Sequence, residues 1–227
     1  YEITYGDWSS DVCSSDLKDG RVTAVTVRNR ATNQSRRLAA KVFVDASYEG
    51  DLIAAAGAEF RLGREARDEF GEPHAGHIYN VPGGGRIGGT GAGDKRLQAF
   101  TFRIPLSSRP ENQVPLRAPP AGYDRARYLG YFDDLKSGRF GNNLTTIAFT
   151  IRQLPNDKVE LNMKPTPLGF VFAEENAGYI DADWPQRERI TAKIRDLSLG
   201  LLWFLQHDSE VPANARQTAL ALQPCRD

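Results

Sequence analysis

An apolar triplet, Val42-Phe43-Val44, runs into Asp45-Ala46-Ser47-Tyr48-Glu49-Gly50-Asp51 and from there into Leu52-Ile53-Ala54-Ala55-Ala56. A continuous apolar run this short fits a strand buried on both faces, as in a sheet covered by helices. The stretch after it is small, polar and turn-forming. The next run has strong helix propensity, with Gly57 as its stop. A strand, a small-residue turn and a helix N-terminus in succession bring backbone N–H groups forward with little side-chain bulk. Ligands commonly approach such a geometry. The order implies a mixed α/β (α+β) chain.

The flanking sequence fits the same class. Residues 21–28 alternate and are rich in Val and Thr, a strand pattern. Residues 29–35 are polar, and Asn33 tolerates the positive φ that hairpin turns often need. Residues 36–41 read as the returning strand. Further on, 61–96 is charged and Gly-rich, a loop with room for one short helix. Residues 97–106 read as a strand with Phe100, Phe102 and Ile104 on one face, and a proline-punctuated connection follows. Asp124 is placed to cap a helix running to Lys136, and 145–152 and 158–162 are strand candidates. Asp183 precedes Trp184-Pro185, a helix start. Ile190, Ile194, Leu197, Leu201 and Leu205 then keep one helix face apolar.

Composition narrows the function classes. A chain of 227 residues buries roughly 70% or more of its unfolded surface and needs neither disulfides nor metal to fold. With 29 basic and 29 acidic side chains, nothing electrostatic recommends nucleic acid or an anionic membrane as partner. No apolar run approaches the roughly 20 residues that span a bilayer. No targeting segment is visible, which leaves the compartment open. Cys13 and Cys225 are too few for a disulfide framework, a four-cysteine zinc site or a self-contained iron–sulfur cluster. Residues 7–17, Asp-Trp-Ser-Ser-Asp-Val-Cys-Ser-Ser-Asp-Leu, match the in-frame translation of a common sequencing-library adapter. On that ground 1–17 is expected to be artefactual or disordered, and Cys13 carries no functional weight.

The string from Val42 to Leu52 resembles the D-A-T/S-x-x-G-D-L signature of FAD-dependent oxidoreductases. More narrowly, it is similar to the branch related to the flavoprotein component of heterodisulfide reductase. Gly63-Arg64-Glu65, Phe70-Gly71-Glu72-Pro73-His74-Ala75-Gly76, Gln98-Ala99-Phe100-Thr101-Phe102-Arg103, residues 179–187 and residues 200–208 resemble that branch in the same order. The resemblance covers most of 18–212. It implies a Rossmann-like FAD-binding domain interrupted by a substrate domain, with 18–57 a remnant of the first, 58–212 the substrate or cap domain and 213–227 a tail. The family's dinucleotide fingerprint lies at its N-terminus, and this chain is expected to begin at or after it. The implied activity is hydride transfer between a small organic substrate and bound FAD, with the electron acceptor unspecified. The alternative is a non-catalytic substrate-recognition module, or a fragment unable to hold flavin. A flavoprotein would purify yellow and the alternative colourless.

By the same resemblance, Asp45, Ala46, Ser47, Gly50 and Asp51 lie beside the ADP half of FAD. Small Ala46 and Ser47 let the backbone approach a cofactor, and Gly50 permits a tight turn. Asp45 and Asp51 read equally as caps of the next helix. His74 and Arg64 are the catalytic candidates, with His77 and Glu72 beside them in sequence. Histidine can shuttle a proton and arginine can anchor an anionic or hydroxylated substrate, although a solvated polar loop is the competing reading. Two histidines without a third ligand do not make a metal site.

Gly83-Gly84-Gly85-Arg86-Ile87-Gly88 matches the bare G-x-G-x-x-G pattern, but neither a buried strand precedes it nor a helix follows, so a surface loop is expected. A serine hydrolase built on Ser47 fails because Asp45 and Glu49 stand where the nucleophile elbow needs glycines. Arg103 reads as a flavin-phosphate partner or as one half of an ion pair. Trp203, Phe204 and the Leu201–Leu202 pair read as helix core, His207 as a helix C-terminal cap, and Cys225 as inert or disordered.

Overall fold

A computed structural model describes residues 10–80, 87–100, 102–137, 149–163 and 174–226. The chain divides into two compact units, Tyr1–Leu62 and Gly63–Asp227.

The first unit is built on an antiparallel sheet of β1 (Ser10–Lys18), β2 (Arg21–Asn29) and β3 (Ser35–Ala39), in that spatial order. Lys18 pairs with Arg21 across Asp19 and Gly20, whose φ values are 52° and 73°. Two consecutive positive φ angles make the tight hairpin turn that Asp-Gly favours, because its twist matches that of the strands. The second turn is held by the Asn29 N–H donating to Gln34 O at 2.8 Å, with Asn33 at φ 56°. Helix α1 (Asp51–Ala55) follows, with Gly57 at φ 69° beyond its end. The Ser15 hydroxyl donates to Ala55 O at 2.6 Å, tying α1 to β1. Ala24 and Val25 are the buried hydrophobic residues of this unit among those described.

Two expectations change here. Residues 10–17, expected to lie outside the fold, belong to strand β1 and pair with β2. Backbone pairing makes few demands on side chains once a β-branched partner and an Asp-Gly turn are in place. Val42-Phe43-Val44, expected to be a strand buried on both faces, lies in no strand. Val42 and Val44 are 75% and 79% exposed. Such a run is buried only when strands flank it and helices cover it, and the three-stranded sheet ends at β3.

The second unit opens with α2 (Arg67–Phe70) and the small hairpin of β4 (Ile78–Asn80) and β5 (Ile87–Gly89). Its main sheet has the order β7-β8-β6-β9, made by β6 (Ile104–Ser107), β7 (Phe149–Leu154), β8 (Lys158–Met163) and β9 (Gln223–Pro224). The strand expected over 97–106 is thus confined to its end and one residue beyond. Helices α3 (Gly130–Ser137), α4 (Trp184–His207) and α5 (Ala213–Leu220) also belong to the unit. Every strand pairing among the described residues is antiparallel, so the chain is mixed α/β with antiparallel sheets.

Helix α4 starts where Asp183 accepts the Gln186 N–H at 2.8 Å, with Pro185 in the first turn. Its apolar residues Ile194, Leu197, Leu201, Leu202, Phe204 and Leu205 are buried, most of them with Leu106, Leu161, Tyr128 and Tyr131 in one core cluster. Tyr128 lies against Gly200, where a Cβ would overlap its hydroxyl, and that hydroxyl donates to Leu197 O at 3.0 Å.

Three glutamines meet the carbonyls at the end of α5. Gln206 donates to Ala219 O and Leu222 O, Gln223 to Leu220 O and Gln113 to Ala221 O, all within 3.1 Å. Ala219 and Leu220 are among the last carbonyls of α5, which a helix end leaves short of partners, and Ala221 and Leu222 follow directly after it. The segment read as a tail therefore carries α5 and β9. Cys225 is ordered beside it, its N–H donating to Pro105 O at 3.2 Å.

Candidate functional site

In the first unit, residues 45–51 fold around one carboxylate. Asp45 Oδ1 accepts from the Ser47 N–H at 3.0 Å and the Ser47 hydroxyl at 2.7 Å. Its Oδ2 accepts from the N–H groups of Leu52 at 3.1 Å and Ile53 at 3.2 Å. The Gly50 N–H donates to Ser47 Oγ at 3.0 Å. Gly50 precedes α1 at φ 70°, a left-handed conformation that a side chain would strain.

An ionised carboxylate only accepts, and these donors suit all of its capacity. Partial burial pushes the Asp45 pKa up, but the bonds from Ser47, Ile53 and Leu52 outweigh it and leave the carboxyl below its ordinary value. Asp45 is therefore the cap of α1 that the sequence left open as one reading, reaching it from the start of the turn. Ala46, Ser47 and Tyr48 are exposed on the same turn, Tyr48 at 93%.

In the second unit, Arg64 and Asp94 close the base of a long glycine-rich loop. Their backbones exchange hydrogen bonds at 2.8 and 3.0 Å. Arg64 Nε donates to Asp94 Oδ1 at 2.8 Å, and its Nη2 pairs with Oδ2. The bond from Arg64, joined by the Arg96 N–H at 3.0 Å and its charge, holds the Asp94 carboxyl at a pKa of about 2. Further along, the Thr90 N–H donates to His77 O at 2.9 Å and the Gly91 N–H to Ala75 O at 3.0 Å. Glycine is required for this closeness, since a Cβ on Gly63, Gly76 or Gly93 would overlap facing backbone.

His74, His77 and Glu72 are exposed on this loop. Arg64, expected to be available to a substrate, has its guanidinium joined to Asp94, a residue that the sequence reading did not single out. A contact across thirty residues leaves no local signal. Arg103 forms an ion pair with Glu160 at 3.2 Å, one of its two expected readings. His207 accompanies the end of α4, with Nδ1 3.1 Å from Trp203 O and its ring stacked on Trp203. Of the 83–88 glycine pattern, 83–86 lies outside the described residues and Ile87 and Gly88 belong to β5. Among the described residues no group of His, Cys, Asp or Glu could hold a metal ion, and no helix is long and apolar enough to cross a membrane.

A family model described as FAD dependent oxidoreductase matches residues 2–224. The chain belongs to the FAD-dependent oxidoreductases. Its cofactor is accordingly FAD. No curated protein and no solved structure matches the chain. For an FAD-dependent oxidoreductase, the donor set of the 45–51 turn suits one part of the cofactor better than another. The Gly50, Leu52 and Ile53 N–H groups are already engaged within the turn. The carboxylate at its centre repels a phosphate. A hydroxyl group is the better match, because Ser47 Oγ, which accepts from the Gly50 N–H, keeps one further lone pair for it.

Proposed function

We propose that this oxidoreductase transfers a hydride between a small organic substrate and bound FAD, as in the branch related to the heterodisulfide reductase flavoprotein. In this reading residues 18–57 belong to a Rossmann-like FAD-binding domain interrupted by the substrate domain. The observation that carries it is the family match over 2–224. When bound, FAD supplies the two-electron chemistry. The turn held by Asp45 then meets the ADP half of the cofactor. Ser47 would hold a ribose hydroxyl, Ala46 would keep the approach open, and Gly50 with Asp51 sets the backbone path into α1. Asp45 orders the turn through its four hydrogen bonds.

The Gly63–Asp227 unit supplies the groups that meet the substrate. His74, exposed on its loop, takes or returns the proton that accompanies hydride transfer, at an imidazole nitrogen. Arg64 shapes that loop through Asp94.

Flavin binding and flavin reduction test the two halves separately. FAD titrated into the full chain is followed by fluorescence quenching, alongside Gly50→Val and His74→Ala. Gly50→Val is expected to weaken flavin binding at least tenfold while circular dichroism stays unchanged. His74→Ala is expected to keep flavin and to slow its reduction by substrate by a factor on the order of 10² to 10⁴. A folded Gly50→Val variant with unchanged affinity overturns the cofactor assignment, and loss of flavin in His74→Ala reverses the roles of turn and loop.

A further inference from the structure

We draw no further inference here: the strongest candidate, the exposed apolar side chains Val42, Val44, Tyr48 and Phe60 in the Tyr1–Leu62 unit, carries nothing because nothing in the structure shows what covers them.

Discussion

Arg64 and Asp94 are joined through backbone and side chain at once: two main-chain hydrogen bonds and a two-pronged guanidinium–carboxylate pair link positions thirty residues apart. The side-chain pair is part-exposed, so its direct contribution to global stability is small. Its consequence is local.

The first prediction concerns pH. The bond from Arg64, with a lesser contribution from the Arg96 N–H and charge, lowers the Asp94 pKa from 3.8 to about 2. A carboxyl depressed on folding contributes stability that is present above its unfolded pKa and is lost as pH falls through the folded value. The clasp should therefore hold at pH 5 and weaken between about pH 4 and pH 2. Carboxyl chemical shifts in the wild type and in Arg64→Gln would report it. The Asp94 titration should move up toward the ordinary range in the variant, and an unmoved titration would remove Arg64 as its cause.

Gly63 offers a sharper test of the loop. Its φ is +98°, and a Cβ there would overlap Asp94 O and Lys95 Cα. Gly57 also has positive φ, but a Cβ there meets open space. Left-handed strain alone costs an alanine roughly 1–2 kcal/mol. Gly57→Ala should show that cost and Gly63→Ala clearly more, because backbone must also shift. Thermal unfolding of the two variants decides it, and equal melting points would mean the close approach is not made.

Gln206 is the third case. Its Nε2 donates to Ala219 O and Leu222 O from a side chain that is 2% exposed. Leucine would fill the volume and remove the buried Oε1 that has no partner, but it would also remove both bonds; Ala219 O keeps the Leu222 N–H at 3.3 Å, so Leu222 O is the carbonyl left short, at about 1 kcal/mol for a lost hydrogen bond. Urea unfolding of Gln206→Leu should show a midpoint lowered by that order with an unchanged slope. A variant as stable as the wild type would mean the end of α5 is satisfied in another way.

Deleting residues 7–17 tests the first sheet. The deletion removes nearly all of β1, which pairs with β2 from Ser10↔Asn29 to Lys18↔Arg21, and removes Ser15, which ties the sheet to α1. Amide exchange across β2 should accelerate strongly, while α4 in the other unit keeps its protection. Unchanged exchange in β2 would return these residues to the status of an appendage.

Local chemistry made much of this protein legible in its sequence. The alternation of β2, the tolerance of Asn33 for positive φ, the cap at Asp183 and the spacing from Ile194 to Leu205 are all rules written within a few residues. Each leads to the element found. The motif order led to the family by the same route, since signatures are short and ordered. Local chemistry could not decide what lies beside what. The Val42 triplet is apolar enough for a buried strand, yet burial is a property of neighbours, and none flanks it. Arg64 reads as an available cation until Asp94 arrives from thirty residues away. Asp45 reads as a helix cap or as a neighbour of the cofactor, and only the folded path of 45–53 shows its carboxylate gathering four donors. The sequence by itself determined the backbone preferences and the cofactor class, because propensities and signatures act over a few bonds. Tertiary structure alone decided exposure, ion pairing and which polar groups remain available, because those depend on contacts between segments far apart in the chain.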